Sequence, residues 1–335
     1  MRAPAAAVTI SGAAVAEATG VVRSRFWWGG LAAAIAWLLV AGVTEAWPDD
    51  GDVGATTELA AGMAVFGLIL LSASLASRYL DMPRLIRTGP WLVALALAFG
   101  VWEVSSAKLH LLPLPFFAAP QAVLDVYIED WPRLSESAAR SVALLFEGYL
   151  IGAAAGFCCG VAMGWSSVVS YWMHPLLRFI GPLPATAWLP VAFFALPSSH
   201  SAGVFLIALA TGFPVTVLTW SGVAGVNVAY YDVARTLGAR PAFLVLKVAI
   251  PAALPSVFVG LFMGLGSSFA VLVVAEMMGV KAGLGWYLSW AQGWAAYANM
   301  YAALIVMALM CSGLITLLFR LRDRVLSWQR GLLRW

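Results

Sequence analysis

Residues 230–255 read YYDVARTLGARPAFLVLKVAIPAALP, a polar, helix-like segment set between two long apolar runs. Tyr231, Ala234 and Leu237 recur at helical spacing, Gly238 is placed to end that helix, and Pro241 suits the first turn of a second one. Asp232, Arg235, Arg240 and Lys247 supply charge, and Pro251 and Pro255 follow. The wider stretch 222–250 therefore predicts a bent pair of short helices joining two spans. Connections that only link elements are usually shorter. A helix laid along a membrane surface can fit a groove on another protein, with the small residues Ala234, Gly238 and Ala239 permitting close approach and the charges setting the register. A docking element is expected here; a polar linker without a partner is the plainer alternative.

The rest of the chain explains why such a segment stands out. Of 335 residues, 62% are hydrophobic and 10% charged, against about 25% charged in an ordinary soluble domain. Mean hydropathy is +0.90. The apolar blocks have the roughly 20-residue length of spanning helices and not the short alternating segments of a β-barrel. The fold class is thus all-α, a polytopic transmembrane helical bundle. The net charge of +3 comes from basic residues scattered at helix ends with no stripe of interleaved aromatics, which argues against nucleic acid as a partner. Cys158, Cys159 and Cys311 lie inside apolar runs without CxxC spacing or clustered histidines, so they are expected to be small core residues and no metal site or disulfide framework is expected. A mildly polar segment precedes the first apolar run and no A-x-A site follows it, so the N-terminus is expected to stay attached.

Eight spans can be drawn from hydropathy, at about 28–47, 59–79, 90–109, 139–164, 174–196, 202–221, 251–277 and 298–320. With both termini in the cytoplasm, fifteen of the nineteen Arg and Lys residues fall on the inner side, and only Lys108, Arg133, Arg140 and Lys281 remain outside. The positive-inside rule selects this orientation. It places the acidic hairpin 47–58 and the connection 111–140 outside, and the opening stretch in the cytoplasm. The first two spans contain almost no proline and are tied to the rest by the basic linker SRYLDMPRLIRTGP, 77–90. Residues 1–88 are read as an appended two-helix unit and 89–335 as the working core.

The loop resembles that of permeases of binding-protein-dependent ABC importers. Their loop has the form E-A-A-x-x-x-G, nine residues, I-x-L-P; here Asp232-Val233-Ala234 precede Gly238, and Val248, Ile250 and Pro251 follow at the same spacing. Asp232, Val233, Val248 and Ile250 depart from the literal motif. From about 90 to 330 the chain resembles the nitrate, sulfonate, taurine and bicarbonate branch: LPLPFFAAPQAVLDVY is similar to its external LPSP segment, PLPATAWLPVAFFAL to its proline-rich central helix, and LPSVFVGLFMGLGSSFAVLVVAEMMGVKAGLGWYL to its span ending in VAE and a GLG turn. The resemblance implies a type I importer fold with two additional N-terminal helices. It implies a permease, usually a homodimer, in the inner membrane, with one cytoplasmic ATPase subunit docked on each copy and an external solute-binding protein. Tyr231, Asp232, Ala234, Arg235, Gly238, Ala239, Arg240 and Pro251 are the expected ATPase-coupling residues. ATP and magnesium would belong to the ATPase, since no G-x-x-x-x-G-K-[ST] loop occurs in this chain.

For the solute path, Pro182, Pro184 and Pro190 lie within an apparent span, where proline removes a backbone hydrogen bond and bends a helix. Freed carbonyls at membrane depth are tolerated only against protein or a water-lined cavity, so a broken helix facing the pathway is expected, with a packing kink as the alternative. Ionisable groups in spans should face the protein interior or an interface. Glu276 is read as a gate, a structural hydrogen-bonding group or a solute contact; Glu103 and Glu147 as structural; Arg178 as snorkelling; His174 and His200 as interface residues. Thr186, Thr211, Ser267 and Ser268 are candidate polar linings, each with the alternative of bonding back to its own helix. An ion-coupled secondary transporter would explain intramembrane acids but not the loop. A membrane-embedded enzyme would need a nucleophile with its base or an HExxH arrangement, and neither is evident.

Overall fold

The computed structural model describes residues 26–49, 54–77, 88–109, 111–112 and 116–329. The expectations for the first 25 residues, most of the 77–90 linker, the tip of the acidic hairpin, part of the LPSP-like segment and Arg330 and Arg334 lie outside the described residues. The chain divides into two compact units, Met1–Asp125 and Val126–Trp335. The span beginning at residue 89, which the sequence reading groups with the core, therefore falls in the first unit.

The first unit is built on α1 (Trp28–Ala46), α2 (Thr56–Ala76) and α3 (Gly89–Lys108), each long and apolar enough to cross a membrane. In lipid such helices associate through close packing of small residues, and a Cβ on Gly89 would come within 2.7 Å of the Gly29 Cα. Trp37 fills the middle, its indole N–H donating to the Leu92 carbonyl at 3.2 Å. The last turn of α3 widens to a π turn, Val104–Lys108, and there a buried polar cluster forms. Glu103 and Lys108 have fully buried side chains 3.9 Å apart, and Lys108 reaches Asp49 at 2.7 Å. The ammonium also donates to the carbonyls of Thr44 and Trp47, while Thr44 Oγ1 and Gln121 donate to the Glu103 carboxylate. Glu103 is structural, as expected. Lys108, read as lying on the outer side, is buried there, its side chain turned back to the α1 carbonyls.

The second unit contains α4 in part (Pro120–Glu129, within which the unit boundary falls), α5 (Trp131–Trp165), α6 (Ser167–Ile180), α7 (Leu189–Ala195, preceded by a 3-10 turn Ala185–Trp188), α8 (Ser199–Ala224), α9 (Val228–Thr236), α10 (Pro241–Met278), α11 (Leu284–Gly293) and α12 (Tyr297–Val325). Its organising contact is α5 against α8. Gly148, Gly152, Gly156, Gly160 and Gly164 form a four-residue repeat along one face of α5, and the residues they meet climb in step: Val204 and Ile207, Ala208 and Thr211, Gly212 and Val215, Thr216 and Thr219, Trp220 and Val223. Numbers rising together mean parallel helices. Sixteen residues of contact correspond to about 24 Å of helix.

Two parallel neighbours require the chain between them to return across the membrane. The return is made by α6 and by the 3-10 turn with α7, which are bent by 84° across a break of four residues. The span drawn at 174–196 is thus two helices, broken at Gly181–Pro184, where Pro182 and Pro184 cannot donate backbone hydrogen bonds; the break expected from the prolines is present. Pro190 causes no kink, since it sits in the first turn of α7, where its missing N–H would be unpaired anyway. Among the described residues, seven helices are long and apolar enough to span, or eight when the bent pair counts as one.

Helix α10 runs antiparallel to α8, with Gly222 meeting Ser256, Gly260 meeting Val215 and Gly264 meeting Thr211. It begins at Pro241, ten residues before the expected span, so the second short helix predicted after Gly238 is continuous with the membrane helix. A π segment, Leu244–Ala249, accommodates this. A proline ring clashes with the carbonyl four residues earlier, and a widened turn just ahead of Pro251 makes room without breaking the rod. The cysteines are free; Cys158 is exposed and Cys159 and Cys311 partly so, in place of the expected core positions; for Cys158 and Cys159 the buried face of α5 is taken by glycine.

Candidate functional site

Helix α9 is set by its ends. Asn227 caps it, its side chain accepting from the Ala229 N–H at 2.9 Å. At the far end Ala239 N–H donates to the Ala234 carbonyl and Gly238 N–H to that of Arg235. This paired closure places its C′ residue in the left-handed region, and Gly238 has φ +82. A Cβ on Gly238 would meet nothing within 4 Å, so this corner points away from the rest of the described chain.

Around the corner the surface is apolar beyond what a linker needs. Leu237 is 83% exposed, with Val233, Phe243 and Leu246 also exposed. A hollow of about 460 Å³ is lined by Ala234, Leu237, Gly238, Ala239, Ala242 and Phe243, with Arg240 as its charged member. Asp232 and Arg235 pair at 3.3 Å on the exposed side, and Arg240 is exposed beside them. Two of the expected coupling residues lie elsewhere. Tyr231 turns inward, its ring edge-on to Trp165 at 6.0 Å, against Val223, Ala249 and Ala253; burial raises its phenol pKa. Pro251 lies about 15 Å along α10 from Pro241 at the helical rise and is half-buried, because the π turn carries the chain straight into the span. The expected set thus divides into exposed Asp232, Arg235, Gly238 and Arg240, half-buried Ala234 and Ala239 beside them, and Tyr231 and Pro251, which lie away from that surface.

The candidate path residues are not gathered in one place. Pro182 and Pro184 are exposed at the break and Thr186 is half-buried beside them. Ser267 is exposed but donates to the Ala210 carbonyl of α8 at 2.9 Å, buried Ser268 to Leu265 and buried Thr211 to Ile207. For these three the hydroxyl is spent on backbone. Glu276, 1% exposed, is also fully engaged. Ser141 Oγ lies 2.7 and 2.9 Å from its two oxygens, and Gly285 N–H donates to it at 2.8 Å. The carboxylate thereby sits at the N-terminus of α11, where backbone N–H groups and the helix dipole favour negative charge. Gly283, with φ +96, leaves room for it, since a Cβ there would fall 2.1 Å from Glu276 Oε1. Ser141 also accepts from Leu284 N–H. A Ser141→Ala variant leaves a buried carboxylate and N–H short of partners, so a stability loss of about 1–3 kcal/mol is expected, read as a lower midpoint of thermal unfolding in detergent.

Helix α11 is latched at a second point. Tyr287, fully buried, donates to Asp130 at 2.7 Å and accepts from Asn299 at 2.7 Å. Burial first, with the Asp130 carboxylate adding to it, pushes its pKa to about 12, so it remains a donor at any physiological pH. Sequence reasoning missed Ser141, Tyr287 and the α5 glycine face. Glu147 and His200, read as structural and interfacial, pair at 2.8 Å with both side chains about half exposed, and His174 stands edge-on to Trp220.

The described chain is a helical bundle with spans long enough to cross a membrane, two of them joined by an exposed turn at Gly238. Residues 148–330 match the family model described as binding-protein-dependent transport system inner membrane component, and the chain belongs to that family, the permease subunits of ABC importers. It is 31% identical over 197 residues to the bicarbonate transport system permease protein CmpB of Synechococcus elongatus, spanning 58% of this chain and 68% of that one. It is 25% identical over 261 residues to the nitrate import permease protein NrtB of the same species, spanning 75% and 92%, and 28% identical over 192 residues to a putative ABC transporter permease protein of Methanocaldococcus jannaschii, spanning 55% and 70%. Among solved structures, the MetNI methionine ABC transporter in inward-facing conformations aligns with a TM-score of 0.46 at 16% identity, over 58% of this chain and 93% of that one.

Proposed function

We propose that this permease imports a small anion by alternating access, working as a homodimer with a cytoplasmic ATPase subunit on each copy and an external solute-binding protein. The observation that carries the reading is the α9–Gly238–α10 corner. It presents a largely apolar hollow with Arg240 in its lining, while Tyr231 ties its inner side to Trp165 and to the α8–α10 packing. A partner moving α9 would move α10 as one rod, since no flexible linker intervenes between Pro241 and Met278. ATP and magnesium would act on the partner, and its two states would bias the permease through different contacts at this corner. Both termini are assigned to the cytoplasm by the basic residues.

The bicarbonate and nitrate transport named for two relatives supports an anion as the solute. Helix termini and backbone N–H groups suit anions better than carboxylates do, and Glu276 is already consumed by α11. The broken span at Gly181–Pro184 is the proposed path element, its backbone freed where Pro182 and Pro184 are exposed. Uptake of labelled bicarbonate and nitrate by right-side-out vesicles, loaded with ATP or left without it and supplied with the solute-binding protein, tests the reading. Uptake is expected to require ATP on the Gly238 side and to survive ionophores that collapse ion gradients; uptake abolished by ionophore and indifferent to ATP would contradict it.

A further inference from the structure

An apolar groove of about 200 Å³ lies between α5, α10 and α12, lined by residues including Phe146, Tyr149, Leu265, Leu314, Leu317 and Leu321. Its only polar reach is turned away, since Tyr149 donates to the Leu261 carbonyl at 2.9 Å. Nothing in this lining could recognise a polar solute. Along α12 the groove side continues at helical spacing from Leu314 through Leu317 and Leu321 to Arg324, with Arg320 one turn from Leu317. Arg324 is only about 4.5 Å of helix rise beyond Leu321. Both arginines are exposed, and neither has a carboxylate partner among the described residues, whereas Arg322 is satisfied by Asp323 at 2.8 Å and lies over the Phe319 ring. Exposed Trp328 follows one turn further on, a residue type that favours the membrane–water boundary.

An apolar slot open along spanning helices and ending at two cations that have no carboxylate partner among the described residues matches the two ends of one molecule. We propose that the groove holds an anionic phospholipid, an acyl chain lying along Leu314, Leu317 and Leu321 and the phosphate between Arg320 and Arg324. Basic pockets at the ends of spanning helices attract anionic headgroups in this way. The lipid would wedge α12 against α5, which α12 otherwise touches little, and so brace the helix next to α10. This rests on the spans alone and on neither the ATPase nor the solute.

Native mass spectrometry of the purified full chain, titrated with phosphatidylglycerol and with phosphatidylcholine of the same acyl chains, tests it. The expected result is a preference for phosphatidylglycerol of roughly fivefold for each arginine. The Arg320→Gln/Arg324→Gln variant should bind both lipids equally, and Leu317→Trp, which fills the slot, should lower retention of both. Equal binding by the unaltered protein, or a preference that persists without the arginines, would overturn the proposal. So would a disulfide between two copies carrying Leu317→Cys in native membranes, which would give the groove to a second copy.

Discussion

Replacing Gly152 by leucine is expected to eliminate folded protein from the membrane, while Gly313→Leu leaves it unchanged. A Cβ on Gly152 would lie 2.4 Å from the Ala208 carbonyl oxygen and 2.9 Å from the Ala208 Cα, whereas one on Gly313 meets nothing within 4 Å. Overpacking by side chains commonly costs about 1–3 kcal/mol, because the atoms displaced can rotate aside. Here they are helix backbone, so α5 and α8 must separate and the whole parallel contact is lost. Against a total stability of about 5–15 kcal/mol, a defect within the largest helix contact is not absorbed. The yield of monodisperse protein in mild detergent and its thermal midpoint, compared across the two variants, provide the check.

The second large effect is functional and leaves the fold in place. Gly238→Arg is expected to lower ATP-driven uptake by more than about tenfold with little change in yield, since the new side chain enters open space in this chain. Any L-residue at φ +82 carries about 1–2 kcal/mol of backbone strain, so a Gly238→Asn control is needed: asparagine tolerates the left-handed region without adding bulk. Uptake retained with asparagine and lost with arginine assigns the effect to an occupied docking surface. Equal loss in both would assign it to the turn itself.

How much of this was legible in the sequence depends on how far apart the interacting groups lie. The spans follow from hydropathy, and the helix before Gly238 from spacing and from a glycine that its closing turn requires. Pro182 and Pro184 marked the break because proline acts on its own helix. The stretch GYLIGAAAGFCCGVAMG, 148–164, displays its four-residue repeat openly, but neither the partner helix nor its parallel direction can be read from it. Glu276 stayed ambiguous for a related reason: its serine partner is 135 positions away, and a buried carboxylate reads alike whether it caps a helix or meets a solute. The burial of Lys108 was hidden because its partners, the α1 carbonyls and Asp49, lie about sixty residues away in sequence. The merging of α10 with the second loop helix was hidden by Pro251, which reads as a boundary until a π turn accommodates it.

The central claim is that the corner at residues 228–243 is where a cytoplasmic ATPase grips this permease. The most direct measurement is affinity capture of the tagged protein from its own membranes, beside Gly238→Arg and Gly238→Asn, with mass spectrometry of what remains bound. Retention of an ABC ATPase subunit by the unaltered protein and the asparagine variant, and its loss from the arginine variant, is the predicted result. An ATPase retained equally by all three would contradict the claim and place the grip elsewhere on the chain.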